Sequence, residues 1–184
     1  MGLHMITRLV LVTLVAGAGL GCGKNLQATQ PTVADAGAAG ELLAAEAAWA
    51  AAKPDCSSYH YQVLASSVFG SCSTTTIEIA NDEPIERTFV GYTYGTCGGD
   101  AGPSESWDEV GVQQIGTHSD GAPALTVEGL FAACQSSLAV DPAENTIWLT
   151  IGADGVPTQC GFTPIDCVDD CPMGFRLAGF ACGS

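Results

Sequence analysis

Thr126-Val127-Glu128-Gly129-Leu130-Phe131-Ala132-Ala133-Cys134-Gln135-Ser136-Ser137-Leu138 is the most sharply patterned stretch of the chain. Val127, Leu130, Phe131, Cys134 and Leu138 fall at offsets of 3, 4, 7 and 11, which places apolar side chains along one stripe of an α-helix. Thr126 stands where its hydroxyl can cap the free N–H groups of the first turn. Glu128 lies near the positive end of the helix dipole. The stretch therefore predicts a capped amphipathic helix, and such a helix needs an apolar layer to rest on.

The flanking sequence supplies that layer as strands. From Ser58 to Ala65 the residues alternate, with Tyr59, Tyr61 and Val63 on one side and His60, Gln62 and Leu64 on the other. Ser73 to Ala80 repeats the pattern, with Ile77 and Ile79 inward and Thr76 and Glu78 outward. Asn81-Asp82-Glu83-Pro84 is turn chemistry, and Ile85 to Tyr94, rich in β-branched and aromatic residues, returns as a third strand. After the helix, Thr146 to Ile151, a Gly152-Ala153-Asp154-Gly155 hairpin turn and Val156 to Thr163 form a pair. Pro164 to Met173 is a cysteine-bearing loop, and Gly174 to Ala181 is a last strand. Between Gly95 and Ala124, glycines and prolines predict a long loop with at most one irregular strand.

An earlier helix is expected over Glu41 to Lys53, where alanines dominate. Leu42, Ala45, Trp49 and Ala52 share one face, and Pro54 ends it. The order helix, three strands, helix, three strands predicts an α+β fold: an antiparallel sheet of about five or six strands with two helices packed on one face, stapled by disulfides.

The start of the chain reads as an address. Ile6 to Leu20 is almost wholly apolar behind His4 and Arg8, too short and wrongly flanked for a membrane span. Ala18-Gly19-Leu20-Gly21-Cys22 resembles the bacterial lipobox, in which the cysteine receives diacylglycerol and the chain is cut just before it. Residues 1–21 are then a signal peptide, 22–40 a lipid-anchored flexible tether without apolar periodicity, and 41–184 a single domain. Cleavage after Ala16-Gly17-Ala18 is the competing reading. Cysteine arithmetic separates the two. Lipid on Cys22 leaves Cys56, Cys72, Cys97, Cys134, Cys160, Cys167, Cys171 and Cys182, an even set of disulfide candidates. Ordinary cleavage leaves one thiol over.

Such cysteine density belongs to oxidising compartments. Zinc is the rival use, but no Cys-x-x-Cys occurs and paired short spacings of cysteines with histidines are missing. Cys134, on the apolar stripe of the second helix, calls for a partner in or near the sheet. Cys56, just before the first strand, is a plausible one. Beyond the leader the bases are Lys24, Lys53, Arg87 and Arg176, set against 20 acidic residues in a chain of net charge −15. That balance repels nucleic acid and anionic lipid.

Four groups of residues are candidate sites. Asp166, Asp169 and Asp170 cluster around the Cys167–Cys171 loop, without the spacing of a calcium loop. His118-Ser119-Asp120 contains triad residue types, but adjacency is not triad geometry and no Gly-x-Ser-x-Gly elbow occurs. His60 reads as a sheet-surface histidine. Tyr59, Tyr61, Phe89, Tyr92 and Tyr94 interleave at strand period, the pattern of a core or of a ligand groove. No catalytic, cofactor-binding or metal-binding set emerges.

Trp49, Tyr59-His60-Tyr61, Cys72, Ile77-Glu78-Ile79, Thr126-Val127-Glu128-Gly129-Leu130-Phe131 and Asp154-Gly155-Val156-Pro157-Thr158 occur in an order and spacing that resemble a bacterial family of secreted lipoproteins, domain of unknown function 6174. In that family a tryptophan-bearing helix precedes a Tyr-x-Tyr strand, and a Thr-Val-x-x-Leu-Phe helix precedes a strand pair. The resemblance spans about Glu41 to Ala181 and departs at Val156, where an aromatic is usual, and in the additional cysteines. It implies no catalytic residues.

The expectation is an extracytoplasmic lipoprotein and a non-enzymatic interaction or structural module of the cell envelope. It needs no cofactor, and its partners are the membrane, through lipid on Cys22, and an envelope protein. Gly23 follows the cysteine where Asp would retain the protein at the inner membrane, so resemblance to the Gram-negative sorting rule favours the outer one. A small extracytoplasmic hydrolase, or a ligand-binding module using the aromatic sheet face, are the alternatives.

Overall fold

The computed structural model describes residues 33–93 and 102–183. The stretch expected to be a signal peptide, Cys22 where lipidation is expected, Tyr94 and Cys97 lie outside the described residues. Two helices, α1 (Val33–Ala52) and α2 (Val127–Leu138), accompany seven strands. These are β1 (Tyr59–Ser66), β2 (Cys72–Ala80), β3 (Glu83–Tyr92), β4 (Glu105–Val110), β5 (Asn145–Ile151), β6 (Pro157–Pro164) and β7 (Met173–Cys182). They form one antiparallel sheet in the order β4-β3-β2-β1-β7-β6-β5. The last strand therefore lies beside the first and joins the two meanders.

The expected α+β class holds, with more strands than foreseen. The additional strand is β4, inside the segment expected to be a long loop with at most one irregular strand. It pairs with β3 from Glu86↔Val110 to Gly91↔Glu105. Val110, its last residue, and Val112 just beyond it are exposed. Helix α1 starts at Val33, eight residues before the expected domain boundary at Glu41. Alanine-rich sequence extends a helix at little cost even where no apolar stripe marks it. Leu42, Ala45 and Trp49 are buried as expected, whereas Ala52 is exposed, because the chain tightens into a 3-10 turn over Lys53–Asp55 with Pro54 inside it.

Both helices cover the same face. Tyr59 and Tyr61 of β1 and Ile77 and Ile79 of β2 meet Leu42 and Trp49 of α1 and Val127, Leu130 and Phe131 of α2 in one core. Thr126 caps α2 as expected, its hydroxyl accepting the N–H of Gly129 at 3.3 Å. Asn81 and Asp82, with φ of 52° and 64°, form the two-residue turn between β2 and β3, the left-handed pair that matches strand twist. Where α1 ends, the Lys53 ammonium reaches Glu128 of α2 at 2.7 Å and Asp82 of that turn at 3.1 Å.

Disulfides tie the layers together. Cys56 is linked to Cys182, with Cα atoms 5.3 Å apart, and Cys134 to Cys160, at 5.5 Å. Cys167 is linked to Cys171 within one loop, and Cys72 is disulfide-bonded as well. The expected Cys56–Cys134 pairing is thus incorrect. Cys56 precedes β1, whose first residue is in register with Cys182 of β7. Cys134 instead points down from α2 onto β6, the strand that α2 crosses most closely.

Candidate functional site

The helices cover only part of the sheet. Over β2, β3 and β4 the cover is the chain from Gly111 to Leu125, and its organiser is a buried ion pair. Arg87 of β3 and Glu109 of β4 are cross-strand partners, 3% and 0% exposed, with Arg87 Nη1 donating to Glu109 Oε2 at 3.0 Å. Glu109 also accepts the backbone N–H groups of Gly116 at 2.7 Å and His118 at 2.6 Å, and the Thr117 hydroxyl at 3.1 Å. Arg87 donates onward to the carbonyl oxygens of Ala122 at 2.8 Å, His118 at 3.2 Å and Asp120. Burial alone pushes the Glu109 carboxyl up. The N–H groups of His118 and Gly116, with the Arg87 and His118 side chains, outweigh burial and bring it down to about 2.

A column of rings stands over this pair. Phe89 stacks on Trp107 at 5.2 Å, and Trp107 on His118 at 4.3 Å with the planes only 4° apart. The Arg87 guanidinium carbon lies 4.6 Å from the Trp107 ring centre. His118 Nδ1 is 3.2 Å from Glu109 Oε1. The geometry holds a loop in place. Glu109 is fixed as a carboxylate with its oxygens engaged, and Arg87 spends its donors on Glu109 and the backbone, so neither is poised to exchange a proton with a substrate.

Beside this loop, between residues 121–125 and α2, lies a recess of about 460 Å³ with walls from Val63, Thr75, Leu130, Ala133 and Phe175. Two of its polar neighbours are already used: Thr75 Oγ1 accepts the N–H of Ala122, and the Ser137 hydroxyl donates to the Ala133 carbonyl.

The residues singled out in the sequence do not converge. His118 and Asp120 both belong to the Arg87–Glu109 loop, but Asp120 contributes its backbone carbonyl. His60 is exposed on the opposite face of the sheet. Asp170 accepts hydrogen bonds from the Ser67 hydroxyl and the Val68 N–H, which fastens the Cys167–Cys171 loop to the β1–β2 hairpin and holds that carboxyl below its usual range. Tyr59, Tyr61 and Phe89 are buried, while Tyr92 is half-buried at the far end of β3. Among the described residues no three His, Cys, Asp or Glu side chains come together to hold a metal ion.

Arg87 and Glu109 escaped the sequence reading because charged residues on strands suggest the solvent side. The available signal was parity: Arg87 shares its strand face with Phe89, and Glu109 shares its face with Trp107. The chain matches no protein-family model, no curated protein and no solved structure. No helix among the described residues is long and apolar enough to cross a membrane.

Proposed function

We propose that this chain is an extracytoplasmic lipoprotein, held to a bacterial membrane by lipid on Cys22, and that its domain is a non-catalytic binding or structural module of the cell envelope. A relationship to domain of unknown function 6174 is part of the proposal. The observation that carries it is the set of covalent links Cys56–Cys182, Cys134–Cys160 and Cys167–Cys171, which persist in an oxidising compartment and not in a reducing cytosol. The apolar leader ending at Cys22 supplies the route out of the cytosol. The non-catalytic part rests on the Arg87–Glu109 cluster, whose polar groups are spent on the fold.

Expression in a Gram-negative host, followed by intact-mass analysis, tests the anchor. The mature chain is expected to begin at Cys22 with acyl groups attached, and to pellet with the outer membrane. Cys22→Ser is expected to abolish acylation and release the protein from the membrane. Cleavage after Ala18, or a Cys22→Ser chain that still pellets, would overturn the reading.

A further inference from the structure

The sheet face turned away from the helices carries an aromatic platform. Leu149 and Cys160 are paired across β5 and β6 and pack into the core, so their neighbours Trp148 and Gly161, also paired, occupy the opposite face. Gly161 is in turn paired with Gly174 of β7. The Trp148 ring lies against Gly161: a Cβ built there would come within 2.6 Å of the indole Cη2. The guanidinium carbon of Arg176, two residues beyond Gly174, lies 5.5 Å from the ring centre.

Next to the platform opens a cleft of about 380 Å³, bounded by Trp148, Arg176, Leu64, Ser66, Asp169 and Asp170. Two of its charged groups make no hydrogen bond among the described residues. Arg176 is exposed, and among the described residues its guanidinium meets only the indole. Asp169 is exposed, and its carboxylate has no hydrogen bond or ion pair among the described residues. Asp170, by contrast, is engaged by Ser67 and Val68.

The combination selects a chemistry. A purely apolar ligand would use the ring and leave the guanidinium and carboxylate unmatched. A phosphate would satisfy Arg176 but meet two carboxylates in a chain of net charge −15. A pyranose fits all three groups: its C–H face is apolar and flat enough to lie on an indole, and its rim hydroxyls both donate and accept hydrogen bonds. We infer that this cleft binds a neutral saccharide, with one pyranose ring stacked on Trp148 and its hydroxyls shared between Arg176 and Asp169. The inference rests on reading the domain as a binding module and is independent of the lipid anchor.

The test titrates the full chain, in a detergent without a sugar headgroup, with cellotetraose and with the tetramer of N-acetylglucosamine, following the indole N–H resonances. At least one sugar is expected to shift the Trp148 resonance saturably, leaving Trp49 and Trp107 in place. Trp148→Ala is expected to abolish binding, and Arg176→Ala or Asp169→Asn to weaken it roughly tenfold. Both of the latter alter exposed side chains, so they decide the matter even if Trp148→Ala fails to fold. Absence of a Trp148 shift with either sugar, or unchanged affinity in both the Arg176 and Asp169 variants, would overturn the inference. Acylation of Cys22 is read separately by mass, so failure of one proposal leaves the other standing.

Discussion

The Tyr59 hydroxyl accepts the backbone N–H of Val127 at 2.9 Å, inside the core. Two residues along β1, the Tyr61 hydroxyl accepts the N–H of Leu125 at 3.2 Å and donates to the carbonyl of the same residue. The Tyr-x-Tyr strand thus satisfies the backbone where the chain enters α2, a place where N–H groups have no partner within the helix. Tyr59→Phe keeps the ring and strands a buried N–H. Equilibrium urea unfolding should show a loss of about 1–3 kcal/mol. Unchanged stability would mean that the Val127 N–H finds another partner.

The Arg87–Glu109 pair predicts acid sensitivity. The folded-state pKa of Glu109, about 2, lies below its ordinary 4.5. Its contribution is therefore complete above the ordinary value and is lost as the pH falls through that interval towards 2. Urea midpoints measured from pH 6 down to pH 2 should fall more steeply for the natural chain than for Glu109→Gln. Parallel curves would assign the acid loss to other carboxylates. At neutral pH, Arg87→Met leaves a buried carboxylate unpaired and should cost about 3–5 kcal/mol.

Peptide mapping without reduction should return Cys134 joined to Cys160, and Cys56 joined to Cys182. The first link closes a sequence separation of 26 residues. Replacing both of its cysteines by alanine should lower stability by about 3–4 kcal/mol in the loop-entropy model. A Cys134 peptide carrying any other partner would contradict the packing of α2 on β6.

Gly161 has no room for a side chain. A Cβ there would overlap the Met173 carbonyl as well as the Trp148 ring. Gly161→Ala should destabilise by about 1–3 kcal/mol. Adding Trp148→Ala should recover only part of the loss, because the carbonyl belongs to the backbone of β7 and cannot rotate away. Full recovery in this double-mutant cycle would show that the ring alone sets the limit.

Local periodicity carried most of the fold into the sequence. The offsets in α2 and the alternation in β1 and β2 each follow from one apolar side meeting one core, so their burial is legible residue by residue. Strand β4 was not, because its inward positions are Trp107 and Glu109, and a carboxylate at an inward position breaks the apolar signal. Cys134 was legible as buried but not as a partner of Cys160, since that pairing depends on which strand α2 crosses. The Trp148 platform depends on Gly161 leaving room for the ring, and Trp148, Gly161 and Gly174 become neighbours only through the register of β5, β6 and β7.

The Cys56–Cys182 link encloses all seven strands. Between those two residues the domain is a covalent ring. A protease that nicks the exposed chain around Val112 releases no fragment, and the cut shows on a gel only after a thiol reductant is added. Mechanical load follows the same route. Tension entering ahead of Cys56 and leaving after Cys182 passes directly across the sulfur bridge, so the hydrogen-bonded ladders between them bear none of the pull.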